Sequence, residues 1–221
     1  YHDSVGRLPP GSEGDGNADV LATVNAISAF AYILPHLEQT AVYAQWKFTA
    51  NHHHSSNATP AGTPVPLMFC PSRRTTGKNS GYAAGDYALS NGTGNVNSYA
   101  ASDLKGLFNI NSKLRLTDIP DGTSNTLAIG EKFVDPANVA STDGPHFRWG
   151  FHSTRNTVSP MNAMPLSPWG NLDCTFGSKH QTGSNFLFAD GGVRFLPQSI
   201  NLLTYQRLGD RADGNAVSLD N

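Results

Sequence analysis

The sequence predicts an α+β fold, with an N-terminal helix packed on a small antiparallel β-sheet and long irregular loops between the elements. Three observations predict it. From Ile27 the apolar positions Ile27, Phe30, Leu34, Leu37, Ala41 and Ala44 recur at alternating steps of three and four, one stripe of a helix. Near the C-terminus Phe186 and Phe188 alternate on one strand and Val193 and Phe195 alternate on the return. Asp190-Gly191-Gly192 supplies the turn between them, so the segment reads as a β-hairpin. The 221 residues are 38% hydrophobic and only 14% charged, with 22 Gly and 14 Pro, which describes a loop-rich chain covered by Ser, Thr and Asn more than by charge.

Taken in order, residues 1–19 are a polar, Gly- and Pro-rich approach segment. In the helix that follows, Pro35 must introduce a kink or start a second helix, because it lacks an N–H and restricts the residue before it. Residues 50–64, with His52, His53 and His54, read as a solvated polar loop, and 66–70 as a short strand. The Gly-, Asn- and Ser-rich stretch 73–98 should carry one short strand near 87–89. Strands at 114–116 and 126–133 flank an Asp-Gly-Thr-Ser turn, and residues 135–175 form a loop-rich insertion. A closing helix takes Ser199 as its N-cap and turns Leu202, Leu203 and Leu208 inward. No internal repeat is present, and the length suits a single domain over 1–221.

The net charge of −2, with no basic run, argues against a nucleic-acid partner. No apolar run approaches the length of a membrane span. Catalytic fingerprints are missing: there is no Gly-x-Ser-x-Gly elbow, His-Glu-x-x-His pair, Walker loop or dinucleotide motif. Glu38 and Glu131 read as isolated acids. Asp118, Asp121 and Ser124 offer the oxygen ligands that calcium takes, or else an Asx-turn whose side chains bond their own backbone. His180 and Asp190 could be acid/base partners or metal ligands. With the turn at 190–192, however, His180 lies beyond the first strand and far from Asp190, and both are read as structural together with Gly191. His146, Trp149, His152 and Trp169 cluster in the loop-rich third quarter, as a stacking platform for sugar or protein if exposed and as aromatic core if buried.

Several blocks together carry a family resemblance. They are Tyr1-His2-Asp3 with Leu8-Pro9-Pro10-Gly11, Ile33-Leu34-Pro35-His36-Leu37-Glu38-Gln39, and Val65-Pro66-Leu67-Met68-Phe69-Cys70-Pro71-Ser72. Asp121-Gly122-Thr123-Ser124-Asn125-Thr126 with Gly130-Glu131 follows, and the last is His180 separated by nine residues from Asp190-Gly191. In this order they resemble the DUF1559 family, also called SBP_bac_10, pseudopilin-like exported proteins of planctomycete type that close on an H-X9-DG motif. Arg73 stands where that family often has Asp.

The resemblance implies a pseudopilin-like head and a non-catalytic role. This would be the soluble part of an exported type IV pilin or type II secretion pseudopilin-like subunit, periplasmic or at the cell surface. It would be anchored by a hydrophobic N-terminal helix expected before Tyr1, through which it assembles with itself or other pseudopilins. A calcium ion in the head and a Cys70–Cys174 disulfide belong to the same expectation; two unpaired buried thiols are the alternative to the disulfide, while a redox pair or metal thiolates are disfavoured because there is no Cys-x-x-Cys spacing and no His/Cys cluster beside either cysteine in sequence. The competing function is an extracellular polysaccharide- or solute-binding module, or a polymer-degrading enzyme.

Overall fold

A computed structural model describes residues 1–13, 25–95, 105–135, 139–144, 146–148, 152–163, 175–215 and 217. The architecture is α+β, built around one sheet with short helices and loops on both faces. The helices are α1 (His2–Val5), α2 (Ala29–Tyr32), α3 (Thr40–Tyr43), α4 (Ala58–Ala61), α5 (Val139–Thr142) and α6 (Leu202–Gly209). A two-residue ribbon pairs β1 (Lys78–Asn79) with β2 (Tyr82–Ala83). The main sheet holds β3 (Tyr87–Ser90), β4 (Leu127–Glu131), β5 (Thr154–Arg155), β6 (Gly183–Phe188) and β7 (Val193–Pro197) in the order β5-β3-β4-β6-β7. All of its pairings are antiparallel except β3 with β5.

The hairpin forms as its sequence requires. Gly191 takes φ +85°, a left-handed conformation that glycine adopts without a Cβ penalty, and Asp190 Oδ1 accepts from the Gly192 N–H at 2.8 Å. Arg194 ion-pairs with Asp190 at 2.8 Å and lays its guanidinium 4.3 Å from the Phe188 ring centre. Alternation then divides the interior in two. Phe186 and Phe188 pack with Phe176, Leu196, Tyr205 and Leu208 on one face of the sheet. Leu187 and Ile129 turn to the other face, against the larger cluster of Ile27, Phe30, Leu34, Met68 and their neighbours.

Elsewhere the local chemistry overrides the pattern. The stripe from Ile27 does not become one helix: α2 is followed by a 3₁₀ turn over Leu34–Leu37 with Pro35 in its first turn, then by Glu38 at φ +59° and by α3. The proline and the left-handed glutamate reset the helix axis, so Ala41 and Ala44 are exposed and Trp46 is buried instead. The expected strand at 66–70 is a 3₁₀ turn over Pro66–Met68, because Pro66 has no N–H for a ladder and fits the first helical position. The expected strand at 114–116 gives way to a 3₁₀ turn, Leu116–Asp118, with Asp118 Oδ2 accepting from the Arg115 N–H at 2.8 Å. Strand β4 stops at Glu131, short of the expected 133.

The closing helix is capped by Asn201, whose side chain accepts from the Thr204 N–H at 3.1 Å, and not by Ser199. That frame buries Tyr205 and Leu208 and leaves Leu202 and Leu203 exposed. Within 135–175 the described residues include α5 and the edge strand β5. Among the described residues no helix is long and apolar enough to cross a membrane.

Candidate functional site

Three chain-distant side chains meet where β4 ends. Glu131 closes β4 and is buried, while its main chain and side chain both grip the segment leading into β6. Its carbonyl accepts from Gly177 N–H at 2.9 Å. Its Oε2 accepts from Asn185 N–H at 2.6 Å and from Asn185 Nδ2 at 3.3 Å. The loop between these two clamps carries His180, whose own N–H donates to Ser178 Oγ at 3.0 Å. Oε1, the carboxylate oxygen left over, faces His180 Nε2 at 3.0 Å.

The third side chain comes from the segment after the Pro66–Met68 turn. Cys70 donates its N–H to Asp86 Oδ2 at 3.1 Å. Its Sγ lies 3.8 Å from His180 Nε2 and 3.3 Å from Ser72 Oγ. Among the described residues, Cys70, Glu131 and His180 are the one group of three His, Cys, Asp or Glu whose ligand atoms all lie within 4.8 Å of one another. They line a small recess, together with Ser72, Arg73 and Lys179.

A charged network supports the floor. Asp86 is buried and ion-paired to Arg74 at 2.6 Å and to Arg73 at 3.5 Å. Arg74 also holds Asp143 in a two-pronged pair at 2.5 and 2.6 Å. Burial lowers the Arg74 guanidinium, and the bonds from Asp143 and Asp86 outweigh that and raise it. Lys132 is fully buried, 3.6 Å from Asp143, and donates to the His152 carbonyl at 3.2 Å. Burial pushes its ammonium down to about 7 despite Asp143.

The arrangement is not a nucleophile–base–acid relay. Such a relay gives the two nitrogens of the imidazole to different partners, nucleophile and acid. Here Sγ and Oε1 face the same atom, Nε2. Convergence of sulfur, nitrogen and oxygen on one point is what a shared cation needs, and these three residues are the ones placed to hold one.

The predicted site residues fall as follows. Cys70 is a free, buried thiol, and no disulfide is found among the described residues; its backbone bond to Asp86 aims the sulfur at Ser72 and His180. Cys174 lies outside the described residues. His180 and Asp190 are not brought together: His180 meets Glu131, while Asp190 serves Gly192 and Arg194 in the turn. Glu131 is not isolated, and the cluster around it escapes a reading that weighs each residue by its sequence neighbours.

Asp118, Asp121 and Ser124 each bond separate partners. Asp118 caps its own turn, Asp121 accepts from Asp213 and Gly214 N–H at 2.7 and 3.1 Å, and the Ser124 carbonyl accepts from Arg194. His146 is buried and stacked on Phe30 with ring centres 4.1 Å apart, and burial holds its imidazole far below the usual range. His152 is buried with Nε2 2.9 Å from an Arg148 nitrogen, and burial plus that charge push it to about 2. Neither ring presents a stacking face to solvent, and Trp149 and Trp169 lie outside the described residues.

Of the three loop histidines, His52 departs from expectation. It is buried beside Trp46 and Tyr82 because its N–H is tied to the Asn25 carbonyl at 2.6 Å, and burial pushes its ring to about 3.

Comparison with known proteins gives one match. The model of the SBP_bac_10 family, described as a protein of unknown function (DUF1559), matches residues 1–203. No curated protein and no solved structure matches.

Proposed function

We propose that this chain, which belongs to the DUF1559 (SBP_bac_10) family, is a non-catalytic interaction protein: the head of an exported, pseudopilin-like subunit presented at the cell surface, where it associates with further copies of itself. The observation that carries the reading is the outer edge of the sheet. Strand β7 is an edge strand, and it exposes Val193 (67%) and Phe195 (47%) on the face where its neighbour's Leu187 is packed into the core. Leu203, a few residues on, is also exposed (54%). An edge strand that exposes apolar side chains is a template for another chain. Two β7 strands pairing antiparallel would bring both Phe195 side chains under cover.

Several acids outside the Glu131 cluster also support a non-catalytic role, since their oxygens are taken up structurally. Buried Asp86 and Asp143 bond arginine, buried Asp121 bonds backbone N–H groups, and the half-buried Asp210 accepts from Thr93. Sedimentation velocity over a concentration series tests the association. The native chain should self-associate, and Phe195→Lys should shift it to monomer with an unchanged melting temperature. A chain that stays monomeric throughout, or association indifferent to Phe195→Lys, overturns the reading. Fractionation of the source cells tests presentation, and a cytoplasmic pool as the main one would refute it.

A further inference from the structure

We infer that Cys70, Glu131 and His180 form a binding site for a zinc-class divalent transition-metal ion, with three protein ligands and a fourth coordination position facing the recess. The inference goes beyond surface presentation and does not depend on self-association.

The donor set selects the ion. Thiolate, imidazole and carboxylate are the three ligand types zinc takes, whereas calcium and magnesium require oxygen throughout. A sulfur donor moves the preference to borderline and soft ions. The spacing agrees. Bonds of about 2.3 Å to sulfur and about 2.0–2.1 Å to nitrogen and oxygen place tetrahedral ligand atoms roughly 3.3–3.6 Å apart. The Nε2–Oε1 separation of 3.0 Å and the Sγ–Nε2 separation of 3.8 Å lie on either side of that range. Shifts of a few tenths of an ångström at the end of the histidine side chain bring both of these into range, and Sγ and Oε1 lie within 4.8 Å of one another.

The supporting shell is already built. Metal-ligating groups need outer partners that fix their orientation. Asn185 occupies Oε2 with two donors and so turns Oε1 of Glu131 inward. Ser178 holds the backbone of His180 and is itself anchored by a 2.7 Å bond to the Gly183 carbonyl. Asp86 holds the backbone of Cys70. Glu131 stands on β4, a strand with neighbours on both sides, so the site rests on the rigid part of the fold.

Charge and access fit as well. A thiolate and a carboxylate neutralise a dication, so the loaded site adds no net charge to a largely buried position. The His180 side chain is 33% exposed and the recess opens over it. Three protein ligands with one solvent-facing position is the open form of a zinc site. Arg73 and Lys179, which also line the recess, favour an anionic or hydroxide group there.

The test is metal binding by the chelator-stripped chain. Zinc titration in a calorimeter should give one ion per chain. Cobalt should produce a sulfur-to-cobalt charge-transfer band in the near ultraviolet together with the visible bands of a tetrahedral ion. Cys70→Ser should abolish the charge-transfer band, and His180→Gln should weaken binding by more than about tenfold. The double variant His53→Asn/His54→Asn, which alters exposed imidazoles away from the recess, should bind as the native chain does.

Mass-spectrometric alkylation of the native chain adds a readout independent of any variant's folding: zinc should protect Cys70 from iodoacetamide. The proposal fails if binding is not one per chain, if the band survives Cys70→Ser, if affinity is lost in the His53/His54 variant, or if zinc leaves Cys70 alkylation unchanged.

Discussion

Mild acid should destabilise this protein from within. His52 and His152 are buried, and their rings are pushed from the ordinary 6.5 down to about 3 and about 2, by burial first and then by neighbouring charge. The groups around them are cationic, Arg148 for both and Lys132 and Arg155 for His152, so nothing there welcomes a proton. The sign follows from linkage. Above 6.5 both states carry neutral rings and the stability is fully present; as pH falls toward the folded values, the unfolded chain takes up protons that the folded chain refuses.

At about pH 5 each ring then costs RT ln(1 + 10^1.5), about 2 kcal/mol, so the pair removes about 4 kcal/mol relative to about pH 7.5. His146 shifts in the same direction and adds to the loss. Against a total stability of about 5–15 kcal/mol this is large. Urea unfolding followed by tryptophan fluorescence at the two pH values measures it. His52→Leu removes a ring whose two nitrogens have no partner among the described residues, and should shrink the acid loss by about 2 kcal/mol. A native chain losing less than about 1 kcal/mol, or a variant losing as much as the native chain, would refute the reasoning.

Three further outcomes follow from the packing. Tyr205 is fully buried with no hydrogen-bond partner for its hydroxyl among the described residues, so Tyr205→Phe should raise stability by about 1 kcal/mol in thermal melts, and a loss would show that the hydroxyl is satisfied. Phe186 sits edge-on to Phe176 and Tyr205 at 5.3 and 6.0 Å, and Phe186→Ala should cost about 3–5 kcal/mol by denaturant titration; a cost under about 1 kcal/mol would mean that cluster is not a packed core. Gly191→Ala should cost about 1 kcal/mol through backbone conformation alone, because a Cβ there meets nothing within 4 Å; Gly191→Asn should be milder, and equal costs would contradict the left-handed turn.

Local pairings were legible in the sequence, and long-range ones were not. The hairpin is carried by period-two alternation and an Asp-Gly turn, signals held within a few residues. The helix stripe failed because periodicity ignores what Pro35 does to the backbone. His52 was misjudged by the company it keeps in sequence, since the polarity of His53, His54, Ser55 and Ser56 hides a ring buried beside Trp46. The Cys70–Glu131–His180 cluster spans contacts 49 and 110 residues apart, beyond any window of periodicity. A signal did exist: each of the three stands in one of the blocks that carry the family resemblance, Cys70 before Pro71-Ser72, Glu131 after Gly130, and His180 at the head of the last block.

The last block also shows why a histidine precedes the Asp-Gly turn by ten residues. The turn at Asp190-Gly191 sets the register of β6 on β7, pairing Phe186 with Arg194 and Asn185 with Phe195. Side chains alternate, so that register points Phe186 at the core and the neighbouring position away from it. Phe186 lies opposite Gly130 on β4, where a Cβ would sit 2.4 Å from its ring, so the aromatic packs directly on the β4 backbone. One residue beyond that pair, Asn185 meets the carboxylate of Glu131, and this bond frees the second oxygen to face His180. A slip of one residue would exchange Phe186 for Asn185 against the core and undo the clamp on Glu131. The spacing from His180 to Asp190 is therefore the length of one strand plus the loop that Glu131 grips at both ends. The turn does no chemistry, yet it decides whether the three donors can meet.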